Sequence, residues 1–138
     1  MAVDMRKRLD AMLRLTAHVQ KRTARTVKAY AVKLRSRINQ LLTTSSTDPN
    51  RLEEEIAIFA ERTDISEECV RLRSHVDQYR ATMRMKDAVG RRLNFILQEM
   101  NREVNTIGAK SSDFGISSAV ISLKEEVEKL REMVQNVE

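Results

Sequence analysis

Side chains that could bind phosphate are concentrated between Arg91 and Ile107, where the apolar residues have helical spacing. At 100° per residue the apolar residues form one stripe, and amide side chains form a row on one flank of it. The row consists of Asn94, Gln98, Asn101 and Asn105, with Arg91 and Arg102 beside it. Amide and guanidinium groups can bind phosphates and sugars, or they can pair across a helix interface and fix its register. The residues alone leave both interpretations open.

The other flank of this stretch carries two carboxylates, Glu99 and Glu103, one helical turn apart. Such a pair can hold a divalent cation through its oxygens, with water in the remaining coordination positions. It can equally form ion pairs with Arg92 and Arg102, as on an ordinary solvated helix face. The spacing by itself does not decide between a metal site and an ion-paired surface.

A second group of reactive side chains precedes this stretch, on a helix predicted to begin at Asp64. Glu68, Arg71 and His75 lie within about 60° of one another on that helix. They could supply a metal ligand, a phosphate clamp and a general acid or base. The alternative is a histidine whose hydrogen bonds are satisfied at a helix interface. His18, on the basic first helix, is predicted to be structural or solvated.

Several familiar catalytic patterns are absent from the sequence, among them the Walker loop, the dinucleotide-binding glycine motif, HExxH and GxSxG. The aromatic residues are two Tyr and three Phe, and Phe59 and Tyr79 fall on apolar stripes. We therefore do not expect an aromatic platform that stacks single-stranded bases. The single cysteine, Cys69, is also on an apolar stripe and is predicted to be buried rather than nucleophilic.

The elements that position these residues are predicted to be helices. Three Gly and one Pro in 138 residues leave too few turns for a β-sandwich or barrel. Apolar residues recur every three or four positions in five segments, at about 4–42, 49–61, 64–83, 91–108 and 116–137. The predicted fold class is all-α, an antiparallel helical bundle or coiled-coil hairpin with a long N-terminal helix.

Capping residues indicate where these helices begin and end. Asp48 followed by Pro49 predicts the start of the second helix, and Asp64 with Glu67 predicts a capping box at the third. Gly108 is predicted to cap the fourth helix at its C-terminus. Loops are predicted at 43–50, 86–90 and 110–115.

The first helix, at nearly 60 Å, is too long for a compact domain of this size. It is expected to project as an arm, to pair with another helix, or to assemble with a second copy. Residues 1–42 carry 11 Lys or Arg and 2 Asp or Glu, whereas residues 43–138 have a net charge of −4. We therefore divide the chain into a basic helix, 1–42, and a helical domain, 43–138. The basic segment suits nucleic acid, although a solvated face or an acidic protein partner would suit it too.

The sequence also bears on where the protein acts. One cysteine cannot form an intramolecular disulfide, and no apolar run approaches the ~18 residues of a membrane span. The N-terminus has no continuous apolar stretch of the kind found in a secretory signal. We therefore expect a cytoplasmic protein without a membrane partner.

Three segments of the chain resemble the YicC/YloC family of bacterial proteins. Residues 90–110 read GRRLNFILQEMNREVNTIGAK, which is similar to the family's signature. Residues 63–75, TDISEECVRLRSH, resemble its second characteristic block, and residues 130–138, LREMVQNVE, resemble its C-terminus. The resemblance covers about residues 50–138, and the basic first helix fits it only in general character.

The resemblance implies an endoribonuclease that depends on Mg²⁺ or Mn²⁺, assembles as a homo-hexamer and cuts structured or small regulatory RNA. Family members also carry an N-terminal domain of similar size, so this chain resembles their C-terminal helical half. Asn94 stands where the family usually has Asp. If that Asp binds metal, the chain is weakened in this role, because a neutral amide holds a hard cation less well than a carboxylate.

Applied to the matching positions, the resemblance implies a role for each reactive side chain. The catalytic residues would be His75, Glu68, Glu99 and Glu103, with the metal held by the three glutamates. RNA would be bound by Arg71, Arg91, Arg92, Asn94, Gln98, Asn101, Arg102, Asn105 and Lys110. Two other hypotheses stay open: a catalytically inactive oligomerisation and RNA-docking module of such an enzyme, or a coiled-coil adaptor that binds an acidic protein.

Overall fold

The computed structural model describes residues 1–41, 48–85, 89–111 and 113–137. Within these ranges the chain forms five helices and no strand. They are α1 (Ala2–Leu41), α2 (Pro49–Arg62), α3 (Ser66–Met83), α4 (Gly90–Lys110) and α5 (Phe114–Val137). The predicted all-α class is confirmed.

Four helical segments pack as a bundle: the first half of α1, α3, α4 and α5. α1 and α4 each contact both α3 and α5, so the four segments form a closed ring. Between α1 and α5, Arg8 pairs with Glu126 and Arg22 with Asp113, so residue numbers rise on one helix as they fall on the other. The same holds for the other neighbours in the ring. The predicted antiparallel packing is therefore confirmed.

The core lies along the axis of this bundle and contains the predicted apolar stripes of all four segments. Tyr79 and Cys69 of α3 are completely buried, as are Leu9 and Met12 of α1. Burial of each large apolar side chain contributes about 1.5–3 kcal/mol, which makes this core the main source of stability. Thr16 interrupts the apolar stripe of α1, but its hydroxyl donates to the Met12 carbonyl at 2.7 Å and so stays hydrogen-bonded although buried.

The second half of α1 leaves the bundle and pairs with α2, which is one of the three outcomes expected for so long a helix. The rings of Tyr30 and Phe59 stack with their centroids 3.8 Å apart, and Arg35 pairs with Glu53 at 2.6 Å. No residue of α2 is fully buried. We call residues 20–41 and α2 together the basic arm; it is held by far less buried apolar surface than the bundle.

Several predicted helix ends are confirmed and others are wrong. The Asp48 carboxylate accepts a hydrogen bond from the amide of Asn50 at 3.0 Å, as predicted for an N-cap. Gly108 does not end α4, which continues to Lys110; Gly108 instead lets Val120 of α5 pack closely, since an added β-carbon would lie 3.2 Å from its Cγ1. Gly90 and Gly115 were expected in loops and lie inside α4 and α5.

The predicted capping box at α3 is also wrong. Asp64 accepts from the amide and hydroxyl of Ser66, at 2.9 and 2.6 Å, rather than from the backbone amide of Glu67, as a capping box would require. Glu67 instead pairs with Arg71 one turn further on, at 3.4 Å. The predicted loops at 43–47 and 86–88, and Ser112 in the third, lie outside the described residues.

Candidate functional site

Two rows of reactive side chains meet where α3 packs against α4. Glu68, Arg71 and His75 follow one another at spacings of three and four on α3, so they share one face. Glu99 and Glu103 do the same on α4. Because the helices are antiparallel, Arg71 faces Glu103, and the same register places Glu99 at the level of His75.

Two of these carboxylates are buried and paired with cations. The Glu68 side chain is only 4% exposed, and its Oε1 accepts from Lys110 Nζ at 2.7 Å. The Glu103 side chain is 9% exposed, and its Oε1 accepts from Arg71 Nε at 2.8 Å. Arg71 Nη2 also lies 3.7 Å from Glu68 Oε1. We call these four residues the carboxylate network; its two negative and two positive charges balance across the α3–α4 interface.

The cations of the network are fixed by further contacts. Lys110 Nζ also donates to the backbone carbonyl of Asp64 at 3.1 Å, which holds the last turn of α4 against the start of α3. The hydrogen bond to Glu103 raises the pKa of the Arg71 guanidinium. Both cations remain partly exposed, at 46% for Arg71 and 37% for Lys110, so a ligand arriving from solvent can reach them.

Three buried polar atoms in or near the network lack a hydrogen-bond partner within the described part of the chain. They are Glu68 Oε2 and both ring nitrogens of His75. Most buried polar atoms in proteins are hydrogen-bonded, so an unpartnered one calls for an explanation such as a catalytic role, an ion or an ordered water. Neither reading of His75, as an acid or base or as a histidine satisfied at a helix interface, is decided by this environment, which gives its ring no hydrogen-bond partner among the described residues.

The predicted metal ligands do not form a ready-made cation site. Across residues 1–41, 48–85, 89–111 and 113–137, no three His, Cys, Asp or Glu side chains are grouped so that they could hold a metal ion. Glu68 and Glu103 are neutralised by Lys110 and Arg71, and Glu99 is half-buried. The assignment of Glu68, Glu99 and Glu103 to a metal stays a prediction.

The predicted amide row lies on the other flank of α4, away from the carboxylate network. A cavity of about 350 Å³ between α4 and α5 is lined by Asn94, Gln98 and Asn101. The lining is completed by residues of α5 that were not predicted as site residues, including Lys124, Glu128, Arg131 and Gln135. We call this cavity the amide groove. α4 therefore separates the predicted catalytic residues from three of the predicted RNA-binding amides.

Charged contacts order part of the amide groove. Arg131 Nε donates to Glu128 Oε2 at 3.0 Å, and this pairing holds the pKa of the Glu128 carboxyl below its ordinary value. The pairing could have been predicted from sequence, since the two residues are three apart on one helix. The remaining predicted RNA-binding residues are exposed on α4: Arg91, Arg92, Arg102 and Asn105.

A third cationic surface lies on the basic arm. On the α1 part of the arm, residues 20–41, five exposed cations form no ion pair with a residue that the structure describes. They are Lys21, Arg25, Lys28, Lys33 and Arg37, which we call the basic stripe. Part of the stripe lies on one side of α1 together with the exposed side chains of Ala29 and Val32. Cations without acidic partners suit an anionic ligand. His18, on α1, is exposed, in agreement with the expected solvated role.

The chain is similar in sequence to known proteins over most of its length. Residues 19–138 match the family described as "Endoribonuclease YicC-like, C-terminal". All of the chain aligns, at 43% identity, with 47% of a protein from Clostridioides difficile strain 630 named "Probable endoribonuclease YicC". Another protein of that name, from Haemophilus influenzae, is 42% identical over 66% of the chain and 32% of its own length. The chain thus spans about half the length, or less, of these curated relatives.

None of the helices in the described ranges is long and apolar enough to cross a membrane.

Proposed function

We propose, from the premise that this chain belongs to the YicC-like endoribonuclease family through its C-terminal domain, that it carries the RNA-cleaving centre of a metal-dependent endoribonuclease. The observation that carries the proposal is the pair of buried carboxylates, Glu68 and Glu103, on facing helices near the imidazole of His75, which has no hydrogen-bond partner among the described residues. The proposed substrate is structured or small RNA, and the proposed reaction is cleavage of a phosphodiester bond.

The proposed metal is a divalent cation such as Mg²⁺ or Mn²⁺, which suits the carboxylate donors although Glu103 and Glu68 are here paired with Arg71 and Lys110. Carboxylate oxygens are the ligands these ions prefer, and Glu68 Oε2 is a buried oxygen without a hydrogen-bond partner among the described residues. We assign Glu68, Glu99 and Glu103 as the residues that would hold the ion. When bound, such an ion polarises a phosphate or lowers the pKa of water.

The chain's own residues account for the other requirements of the reaction. A neutral imidazole has one nitrogen that accepts and one that donates, so His75 can take a proton from the attacking oxygen and deliver one to the leaving oxygen. Arg71, one turn from His75 on α3 and partly exposed, can bind the oxygens of the scissile phosphate. Lys110, which pairs with Glu68 two turns from His75, can bind a neighbouring phosphate. Arg91, Arg92 and Arg102 would bind phosphates further along the strand.

The amide row would bind the parts of the RNA that carry little charge. Side-chain amides both donate and accept, which suits ribose hydroxyls and phosphate oxygens. The residues assigned to this role are Asn94, Gln98, Asn101 and Asn105. Since α4 separates the amide groove from the carboxylate network, a bound strand would pass over the exposed side of α4 to reach both.

The test is cleavage of a labelled hairpin RNA in Mn²⁺, in Mg²⁺ and in EDTA. We expect cleavage only with metal, and a rate about 10²–10⁴-fold lower for His75→Gln, the usual contribution of a general acid or base. His18→Gln is the matched control, because His18 is exposed on α1. Glu99→Gln is compared in the same way with Glu125→Gln, an exposed glutamate of α5. Cleavage in EDTA, or an unchanged rate for Glu99→Gln in saturating metal, would refute the proposal.

The basic arm favours a second candidate, an oligomerisation and RNA-docking module without activity of its own. The five cations of the basic stripe would supply the docking surface, and assembly as a homo-hexamer would bring several stripes together. Changing Lys28, Lys33 and Arg37 to Gln should then weaken RNA binding and reduce its salt dependence by about two in log–log slope, at ~0.7 per single-strand phosphate contact. RNA retained but never cut would favour this module. No RNA retained at low salt would favour the coiled-coil adaptor.

A further inference from the structure

Phe95 stands on the solvent side of α4 with 62% of its surface exposed. The other large apolar side chains in this part of the helix, Leu93, Ile96, Leu97 and Met100, are buried in the core. At 100° per residue Phe95 points away from their stripe, so packing against the described part of the chain does not account for it. A single exposed apolar residue is common on protein surfaces, so a function can be inferred for it only from the residues around it.

The neighbours of Phe95 are groups that suit a nucleotide. Arg91 lies one turn before it and Arg102 two turns after it, and both are exposed on the same side of the helix. Gln98, also exposed, follows at the third position, and Glu99 follows at the fourth. One turn is about 5.4 Å of helix rise, so the ring lies within a nucleotide's reach of a proposed metal ligand.

We propose that Phe95 stacks against one unpaired nucleobase of the RNA, next to the bond that is cut, while Arg91 and Arg102 bind the phosphates on either side of it. This inference rests on the proposed RNA-cleaving function and adds a determinant of specificity to it. A base can stack on the ring only when it is out of its own helix, so cleavage should require an unpaired nucleotide at this position.

The flanking charges favour RNA over a protein partner. A protein surface placed over Phe95 would have to remove water from two guanidinium groups. An RNA strand instead brings a phosphate with every nucleotide, and a phosphate can accept two parallel hydrogen bonds from one arginine. Stacking of one base needs only one aromatic ring, here flanked by two cations. It does not need the platform of several aromatic rings that the composition makes unlikely.

The test is binding of a single-stranded oligoribonucleotide that carries one 2-aminopurine, in EDTA so that the strand stays intact. Fluorescence reports stacking on the base, and the titration gives the dissociation constant. The variants are Phe95→Ala, Phe95→Leu, Phe95→Trp and, as a control, Phe114→Ala, since Phe114 is an exposed phenylalanine at the start of α5. Loss of one base–aromatic stack should weaken binding about 5- to 150-fold.

We expect Phe95→Ala and Phe95→Leu to lose affinity and quenching alike, while Phe95→Trp and Phe114→Ala keep both. The opposite order of RNA affinities, with Phe95→Leu unchanged and Phe95→Trp weakened, together with a change in the sedimentation of the protein, would indicate a contact between protein surfaces. That result would overturn the inference. Equal affinity for all variants would also overturn it. A chain that binds with the expected order but never cuts RNA would refute the proposed function alone. Cleavage that is indifferent to Phe95 would refute only this inference.

Discussion

Arg22 and Asp113 form a two-pronged ion pair that fastens the middle of α1 to the start of α5. Arg22 donates from Nε to one carboxylate oxygen and from Nη2 to the other. Asp113 also accepts from the amide of Ile116 at 3.1 Å, which caps the first turn of α5. The guanidinium lies over Gly115, where a β-carbon would collide with it. The point at which α1 leaves the bundle to become the basic arm is therefore anchored.

This ion pair should make the stability of the protein depend on pH at its acidic end. Hydrogen bonding to Arg22 lowers the pKa of Asp113 below its ordinary value of 3.8. The stabilisation is therefore complete above pH 3.8 and is lost as pH falls through the lowered value. At pH 7 we expect Asp113→Ala to cost about 1–2 kcal/mol in urea unfolding, since it removes a cap and an ion pair.

Asp113→Asn separates the two contributions, because asparagine caps a helix as well as aspartate does. It should cost less than about 1 kcal/mol at pH 7, the range for a partly exposed ion pair. Its difference from the unaltered protein should disappear at a pH where Asp113 is protonated. A difference that stayed constant from pH 7 downward would show that the ion pair contributes nothing to stability.

The carboxylate network allows metal binding to be tested without measuring cleavage. Arg71→Met leaves the buried Glu103 without its cation, which should cost about 1–3 kcal/mol in the absence of metal. If Glu68, Glu99 and Glu103 hold a divalent ion, Mn²⁺ should restore much of that loss as a rise in Tm, because the ion binds the folded state. The rise should be larger than in the unaltered protein, where Arg71 competes for the same oxygen.

Two variants show whether such a rise in Tm comes from the network. Adding Glu103→Gln to Arg71→Met should abolish it, since the amide is a poorer ligand. Arg131→Met removes an arginine whose partner, Glu128, is about half exposed, so it should show no response to Mn²⁺ beyond that of the unaltered protein. A Tm that never responds to Mn²⁺ in Arg71→Met would refute the assignment of these carboxylates to a metal.

The helices could be predicted from sequence because the apolar residues, spaced three and four apart, are the same residues that form the core of the bundle. That period says nothing about which helix packs beside which. The sequence placed Glu99 and Glu103 on one flank of α4 and the amides on the other, but only the ring order of the bundle brings Arg71 to Glu103 and Lys124 to the amide groove. Cross-helix partners depend on tertiary packing, which local patterns do not encode.

Glycine and phenylalanine were misinterpreted for a related reason. Gly108 directly follows the last apolar residue of the α4 stripe, where a C-terminal cap is expected. Its missing side chain instead leaves room for Val120 of α5. Composition identifies Phe95 only as one of five aromatic residues, although the helical wheel that places the amide row also places Phe95 opposite the core. The signal for its exposure was present in the sequence.

Cys69 should be inert to thiol reagents until the bundle opens. The side chain is completely buried, and burial raises the pKa of its thiol from 9.0 to about 11. The thiolate fraction near pH 8 should therefore be about 100-fold lower than for a free thiol. Reaction with Ellman's reagent at pH 8 should be absent in buffer and complete in urea. Fast labelling of the folded protein would mean that the α3 side of the core opens readily.

The same shift in pKa predicts a loss of stability at high pH. The unfolded thiol ionises near 9 while the folded thiol stays protonated to about 11, so the stabilisation is complete below pH 9 and is lost as pH rises through 11. Cys69→Ala should remove this part of the pH dependence although it leaves a small cavity. Tyr79, whose pKa is also raised by burial, remains in both proteins and serves as the common background.

The stacked rings of Tyr30 and Phe59 should hold α2 against α1 without affecting the stability of the bundle. No residue of α2 is fully buried, and a stacked aromatic pair contributes about 0.5–1.5 kcal/mol beyond the area it buries. Tyr30→Ala should therefore release α2 from α1, seen as rapid amide exchange in residues 49–62 with unchanged protection in α3, α4 and α5. Val32→Ala, on the exposed side of the same helix, should change neither region. Loss of protection throughout the bundle in Tyr30→Ala would show instead that the arm and the core unfold as one unit.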